Sequence, residues 1–305
     1  MAGPPPLVRL AAGPFVAELC PEVGGSLARF VGWGHDLLRP VSDADLAARE
    51  PRRLGCYPLI PFSNRVREAQ FIFDGERYRL ARNFLPEPHA IHGNAWQRAW
   101  QVDRQAADAA RLVLVHDPAR DGAAPWPFAY RAALDFQLAA EGLTVRLSVE
   151  NTDRRRMPAG FGLHPFFPLT TGTRLAARLE GVWLNDERKL PESHVALPPA
   201  WDFTSPAPVP PLSVDNCFTG WAGAARLEWP DRGLRLDIDA SAALGNLVIF
   251  VPQAHDYFCV EPVSNVNDGF TLAAAGVANT GVVALAPGET LAGEIRFKPA
   301  LLSRA

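Results

Sequence analysis

Arg131-Ala-Ala-Leu-Asp-Phe-Gln-Leu-Ala-Ala-Glu-Gly-Leu-Thr-Val-Arg-Leu-Ser-Val-Glu150 carries the fold class of this chain. Apolar residues alternate on both sides of Glu141-Gly142, and a period of two broken at a glycine predicts a β-hairpin that turns there. Phe71-Ile-Phe-Asp-Gly-Glu-Arg-Tyr-Arg-Leu80 repeats the form on a smaller scale, as two short strands around Asp74-Gly75. Residues 111–116, 225–229, 234–239, 247–251, 257–260 and 291–297 read as further strands. The 24 Gly and 29 Pro of the 305 residues are scattered between such segments as turn punctuation. Only residues 42–50 read as helix, short and capped by Ser42. So many strands without a clean linker predict an all-β chain, a large antiparallel β-sandwich formed by residues 1–305 as one domain. The Pro-rich residues 197–212 read as a long surface loop within it. No period of 20 to 50 residues recurs, which disfavours a propeller or solenoid.

Hydrophobic side chains make up 48% of the chain and charged ones 21%, so it is not a disordered polymer. Thirty basic against 33 acidic residues leave a net charge of −3, without the basic footprint that a phosphate backbone demands. No nucleic acid is expected as a partner. Cys20, Cys56, Cys217 and Cys259 are far apart and form no C-x-x-C pair, which predicts reduced, partly buried thiols. Met1-Ala-Gly-Pro-Pro-Pro-Leu-Val-Arg-Leu10 lacks the basic and apolar parts of a secretory signal. Residues 270–286 are too short and polar to span a bilayer. A cytoplasmic protein that does not engage a membrane is expected.

Three histidines fall in unusual company. His89 and His92 lie in Pro88-His-Ala-Ile-His-Gly-Asn94, and His164 lies in Gly160-Phe-Gly-Leu-His-Pro-Phe-Phe167. Pro165 holds His164 extended, and the glycines before it allow a chain or ligand to come close. A hydrogen-bonded histidine at a strand end is the competing reading. His89 and His92, with His164 and a carboxylate, can be drawn as a metal site, but no second matched pair follows and no metal is expected. Glu261 interrupts the apolar Tyr257-Phe-Cys-Val-Glu-Pro-Val263. Burial would raise its pKa toward that of a general base, whereas a structural ion pair, with Arg65 for example, would lower it. Asn64 and Arg65 in Pro61-Phe-Ser-Asn-Arg-Val-Arg67, and Asp215 in Val214-Asp-Asn-Cys-Phe218, suit a polyhydroxylated ligand whose hydroxyls both donate and accept. A Gly-rich phosphate loop and a G-x-S-x-G elbow are absent, so nucleotide binding and serine hydrolysis drop out.

In order along the chain, Asn64-Arg65, His89-Ala-Ile-His92-Gly93, Gly162-Leu-His164-Pro-Phe-Phe167, Asp215-x-Cys-Phe218, Glu261-Pro262 and Leu285-Ala-Pro-Gly-Glu289 resemble the aldose 1-epimerase (galactose mutarotase) family. The resemblance runs from about Arg9 to Phe297. It implies a β-sandwich whose concave face holds a sugar, with His164 as general acid, Glu261 as general base, His92 beside the ring oxygen, and Asn64, Arg65 and Asp215 binding the sugar. Gly93-Asn94 and Val66-Arg67-Glu68 depart from the family's usual residues and bear on which sugar fits.

Interconverting anomers requires taking a proton from the anomeric hydroxyl while giving one to the ring oxygen, then rotation and reclosure. One base and one acid on opposite sides of that carbon suffice, and no cofactor is expected. The expected partner is a small-molecule sugar, bound by a monomer or homodimer. Two other readings stay open: a hexose phosphate as substrate, with Arg67 beside Arg65 gripping the phosphate, and a sugar-binding or sensing module without turnover. Keeping both His164 and Glu261 speaks against the last, because a binder needs no matched acid and base.

Overall fold

In the computed structural model, which describes residues 3–209 and 213–302, the decisive hairpin forms from strands Tyr130–Ala139 and Gly142–Asn151. Ala139 pairs with Gly142, so the loop residues are Ala140 and Glu141, one position before the expected turn. Gly142 opens the return strand instead. A Cβ there would lie 2.1 Å from the Phe297 carbonyl oxygen, so the close approach of the neighbouring strand requires the glycine.

This hairpin belongs to one of two large sheets whose strand ladders are antiparallel. The other runs from Val8–Ala12 at one edge, through Cys56–Leu59, Gly162–Pro168, Tyr257–Val263, Asn246–Val251 and Val214–Thr219, to Pro191–Ala196 at the far edge. Each sheet draws strands from both halves of the chain. Alternation along the strands turns Phe30, Phe167, Phe218 and Phe258 of this sheet, and Leu134, Leu147, Leu236 and Phe297 of the other, into one shared apolar core. Each such side chain contributes about 1.5–3 kcal/mol by leaving water.

The opposite face of the longer sheet is also covered. Tyr57, Phe166, Cys217, Val248 and Cys259 form a second apolar cluster under Trp96 and Val266. Burial on both faces explains why the segments around His164 and Glu261 read as nearly unbroken apolar runs.

Helix is confined to short pieces. Asp43–Ala47 starts from a capping box in which Ser42 and Asp45 exchange side-chain to backbone hydrogen bonds, as the expected cap requires. The Pro-rich segment is largely loop, with Ala207–Pro208 pairing on Arg174–Ala177; its residues 210–212 lie outside the described residues. All four cysteines are free and fully buried, deeper than expected. Among the described residues no helix is long and apolar enough to cross a membrane.

Candidate functional site

The register of the middle strands lays two rows of side chains across the outer face of the longer sheet. Tyr57 pairs with His164, Glu261 with Val248, and Val248 with Cys217. The register that pairs Gly162 with Val263 and Phe166 with Cys259 sets His164 directly across from Glu261. The next row is Phe166, Cys259, Phe250 and Asp215. Over these rows opens a cavity of about 380 Å³, lined by Tyr57, Arg65, His92, His164, Asp215 and Glu261 among others. That is the size of a single small ligand.

His164 Nε2 and Glu261 Oε1 are 3.3 Å apart on the cavity floor. They stand side by side on one face of the sheet, because neighbouring strands in register present them together. Burial pushes the His164 imidazole down to about 3, with Arg39 acting in the same direction. Burial, reinforced by Asp215 and opposed by Arg65, lifts the Glu261 carboxyl well above the usual range. Each shift favours the neutral form of its group. Glu261 Oε2 is buried without a partner among the described residues.

Two loops wall the cavity and hold each other. The His92 backbone N–H donates to Asn64 O at 2.9 Å. The Asn64 N–H donates to His92 Nδ1 at 3.1 Å. With Nδ1 accepting, and burial lowering its proton affinity, the His92 ring is neutral and keeps its hydrogen on Nε2, as a donor to the cavity. Gly93 follows at φ +71°, where a Cβ would fall 1.9 Å from Ile60 O. Gly93→Ala is therefore expected to cost at least about 2 kcal/mol. A thermal melt checks this, and an unchanged midpoint would contradict the packing of these loops.

A third segment, unrecognised in the sequence, sets the loop bearing Asn64 and Arg65. Asn265 accepts from Ser63 N–H at 2.9 Å and returns a bond to Ser63 O at 3.0 Å. Asn267 accepts from Arg65 N–H at 3.2 Å, and Asp268 from Arg67 N–H at 3.0 Å. Side chains here imitate a strand ladder. The available signal was the polar run Ser264-Asn-Val-Asn-Asp268 directly after Glu261-Pro262. Tyr57 was also missed; its aromatic ring packs against His164.

The structure revises several expectations. Arg65 pairs with Glu87 at 3.1 Å and not with Glu261, and its Nε is buried without a partner, a donor left for a ligand hydroxyl. Asp215 lies at the rim, 3.5 Å from Lys189 Nζ. Arg67 is bound through Nε to Asp268 at 3.0 Å and does not line the cavity. His89 is fully buried away from the cavity, its Nδ1 accepting from Glu68 N–H, so it does not join His92 in a ligand pair. The described residues close enough to share an ion are instead His164, Cys259 and Glu261, whose ligand atoms lie within 4.8 Å of one another.

Comparison with known proteins gives concordant results. The family model for aldose 1-epimerase matches residues 6–298. The uncharacterized protein YphB of Escherichia coli K12 is 35% identical over 285 residues, covering 91% of this chain and 93% of that protein. A crystal structure from E. coli K12, provisionally assigned as an aldose 1-epimerase, superposes with a TM-score of 0.87 at 33% identity, over 97% of this chain and 99% of that one. A galactose mutarotase-like protein from Clostridium acetobutylicum shares the fold, with a TM-score of 0.86 at 20% identity over 96% of this chain and 95% of that one.

Proposed function

Because the chain belongs to the aldose 1-epimerase family, we propose that it interconverts the α and β anomers of a hexose or related aldose. The observation that carries this reading is the buried His164–Glu261 pair at the floor of a cavity of single-sugar size.

In the proposed cycle the cyclic sugar is bound with Glu261 as carboxylate and His164 as imidazolium. Glu261 takes the proton of the anomeric hydroxyl while His164 gives its proton to the ring oxygen. The C1–O5 bond breaks, and the electron pair left on O1 forms the aldehyde carbonyl. Rotation about C1–C2 and the reverse transfers close the ring as the other anomer. Both oxygens hang on one carbon, so an acid and a base 3.3 Å apart can reach both.

At the open-chain stage Glu261 is a neutral acid and His164 a neutral imidazole, the form that burial favours. Burial thus favours the pair as it stands after ring opening, and reclosure draws on the same two groups in reverse. His92 Nε2–H is placed to donate to the ring oxygen or a neighbouring hydroxyl. The Arg65 side chain, Asn64 and Asp215 serve hydroxyls.

Arg65→Ala and Asp215→Ala are each expected to raise KM by removing a hydroxyl partner, at roughly 1–3 kcal/mol per residue, with a smaller change in kcat. Steady-state kinetics decide this; unchanged constants in both variants would remove these residues from the site.

The pH profile has a definite sign. The pair works with one proton. Activity is lost as pH falls through the value of about 3 at which His164 binds a second, and as pH rises through the raised value of Glu261, where the single proton leaves. The expected kcat/KM profile therefore shows no rise with pH through about 6.5, the ordinary imidazole value. Such a rise, measured by polarimetry with the spontaneous rate subtracted, would contradict the assignment.

Engagement of Arg67 by Asp268 removes the cation that favoured a hexose phosphate, so a free sugar is the substrate class proposed here.

A further inference from the structure

Beyond the Phe166 ring, on the same face of the sheet as the cavity, the Arg39 guanidinium lies 4.0 Å from the centre of the Phe166 ring and 5.0 Å from that of Tyr257. Phe166 in turn packs against the His164 imidazole, with ring centres 4.5 Å apart and planes 29° from parallel. Tyr57 meets the same imidazole from the neighbouring strand at 4.7 Å and 25°. Arg39 is fixed from several directions. Its backbone N–H donates to Phe166 O at 2.8 Å. Its Nη2 donates to Leu54 O at 3.0 Å and also to Arg52 O. Among the described residues its direct partners are these carbonyls and rings, and the one carboxylate that attracts it, Asp45, does so without a hydrogen bond.

We propose that Arg39 is a positioning residue of this site: through Phe166 it fixes the plane of the His164 imidazole, and as a cation with no carboxylate in contact it opposes protonation of that ring. Two rules of physical chemistry support this. A guanidinium keeps its charge even when partly buried. A fixed positive charge one ring's width from an imidazole, in apolar surroundings, disfavours the imidazolium.

The other groups facing His164 do not supply that charge. Glu261, across the strand pair, acts in the opposite sense when ionised. Tyr57, Cys56 and Cys259 are held protonated by burial. His92, edge-on at 5.4 Å, is neutral. Across the cavity, Arg65 is paired with Glu87, and Asp215 carries the opposite sign. Arg39 is therefore the cation that tunes His164 across the Phe166 ring, and its anchoring to Leu54 and Arg52 ties that tuning to the turn at the cavity mouth.

The catalytic consequence rests on His164 being the proton donor of the proposed epimerase, but the test need not. His164 protonation is read directly by NMR of imidazole-labelled protein, alongside kcat/KM against pH, for the wild type, Arg39→Met and Arg39→Lys. Removing the charge in Arg39→Met is expected to raise the His164 midpoint by about one pH unit, so that at pH 4 about half of the ring is imidazolium against roughly a tenth in the wild type. The acid limb of kcat/KM should move with it. Arg39→Lys keeps the charge but cannot lie flat on Phe166 while serving two carbonyls. It should hold the midpoint within about 0.3 units while kcat falls a few-fold.

If Arg39→Met does not fold, Arg39→Gln, which retains a donor toward Leu54 O, carries the same expectation. A folded, charge-removed variant with the wild-type His164 midpoint overturns the proposal. Absence of anomer exchange in the wild type, with the midpoint still shifted by the variant, would instead fault the epimerase reading and leave the role of Arg39 standing.

Discussion

Glu261→Gln is expected to lower kcat by about 10²–10⁴-fold while sugar affinity stays within a few-fold of wild type. Burial already favours the protonated carboxyl, so the amide replaces that form with a group of the same shape and charge. Stability should change by no more than about 1 kcal/mol, which separates this variant from one that merely breaks a buried charge pair. The amide cannot accept the anomeric proton, and turnover fails for that reason. Anomer exchange near the wild-type rate in a folded Glu261→Gln protein would refute the mechanism and make a sugar-binding module the better reading.

The second large effect is expected for His164→Asn. The side chain keeps a polar group of similar reach but cannot deliver a proton to the ring oxygen, and kcat should fall by a comparable about 10²–10⁴-fold. Here a stability cost is also expected, because the imidazole fills space against Phe166 and Tyr57 that Asn leaves partly empty. A melt and a sugar-binding titration must therefore accompany the kinetics. The double variant should be scarcely slower than either single one, since two groups exchanging protons with one substrate act as a unit. Strictly multiplicative losses would show that they act independently.

How far these residues could be read from the chain depends on what each signal measures. Alternation is a local property, so the hairpin at 130–151, the strands through 257–263 and the sandwich class were visible at once. His164 and Glu261 stood out because a titratable side chain followed by proline within an apolar strand is chemically expensive and needs a reason. That they lie side by side depends on the pairing of strands almost a hundred residues apart, which no local pattern encodes.

The same limitation produced the misreadings. Arg67 looked like a second pocket cation because its partner, Asp268, lies 201 residues further along. Arg65 looked available to Glu261 because nothing in the sequence brings Glu87 to its guanidinium. His89 and His92 shared a ligand-like spacing, yet the positive φ of His92 turns the chain between the buried ring of His89 and the cavity. The amides of Asn265 and Asn267 were passed over because polar residues after a strand ordinarily signal a solvated loop, whereas here they replace a missing strand neighbour.

The most direct test is to add the pure protein to freshly dissolved α-anomers of common aldoses, free and phosphorylated, and follow exchange by NMR magnetisation transfer. The account predicts exchange of at least one free aldose well above the spontaneous rate, with the reaction stopping at the anomeric mixture. Binding of a sugar without any acceleration of exchange, across the whole panel, would contradict it.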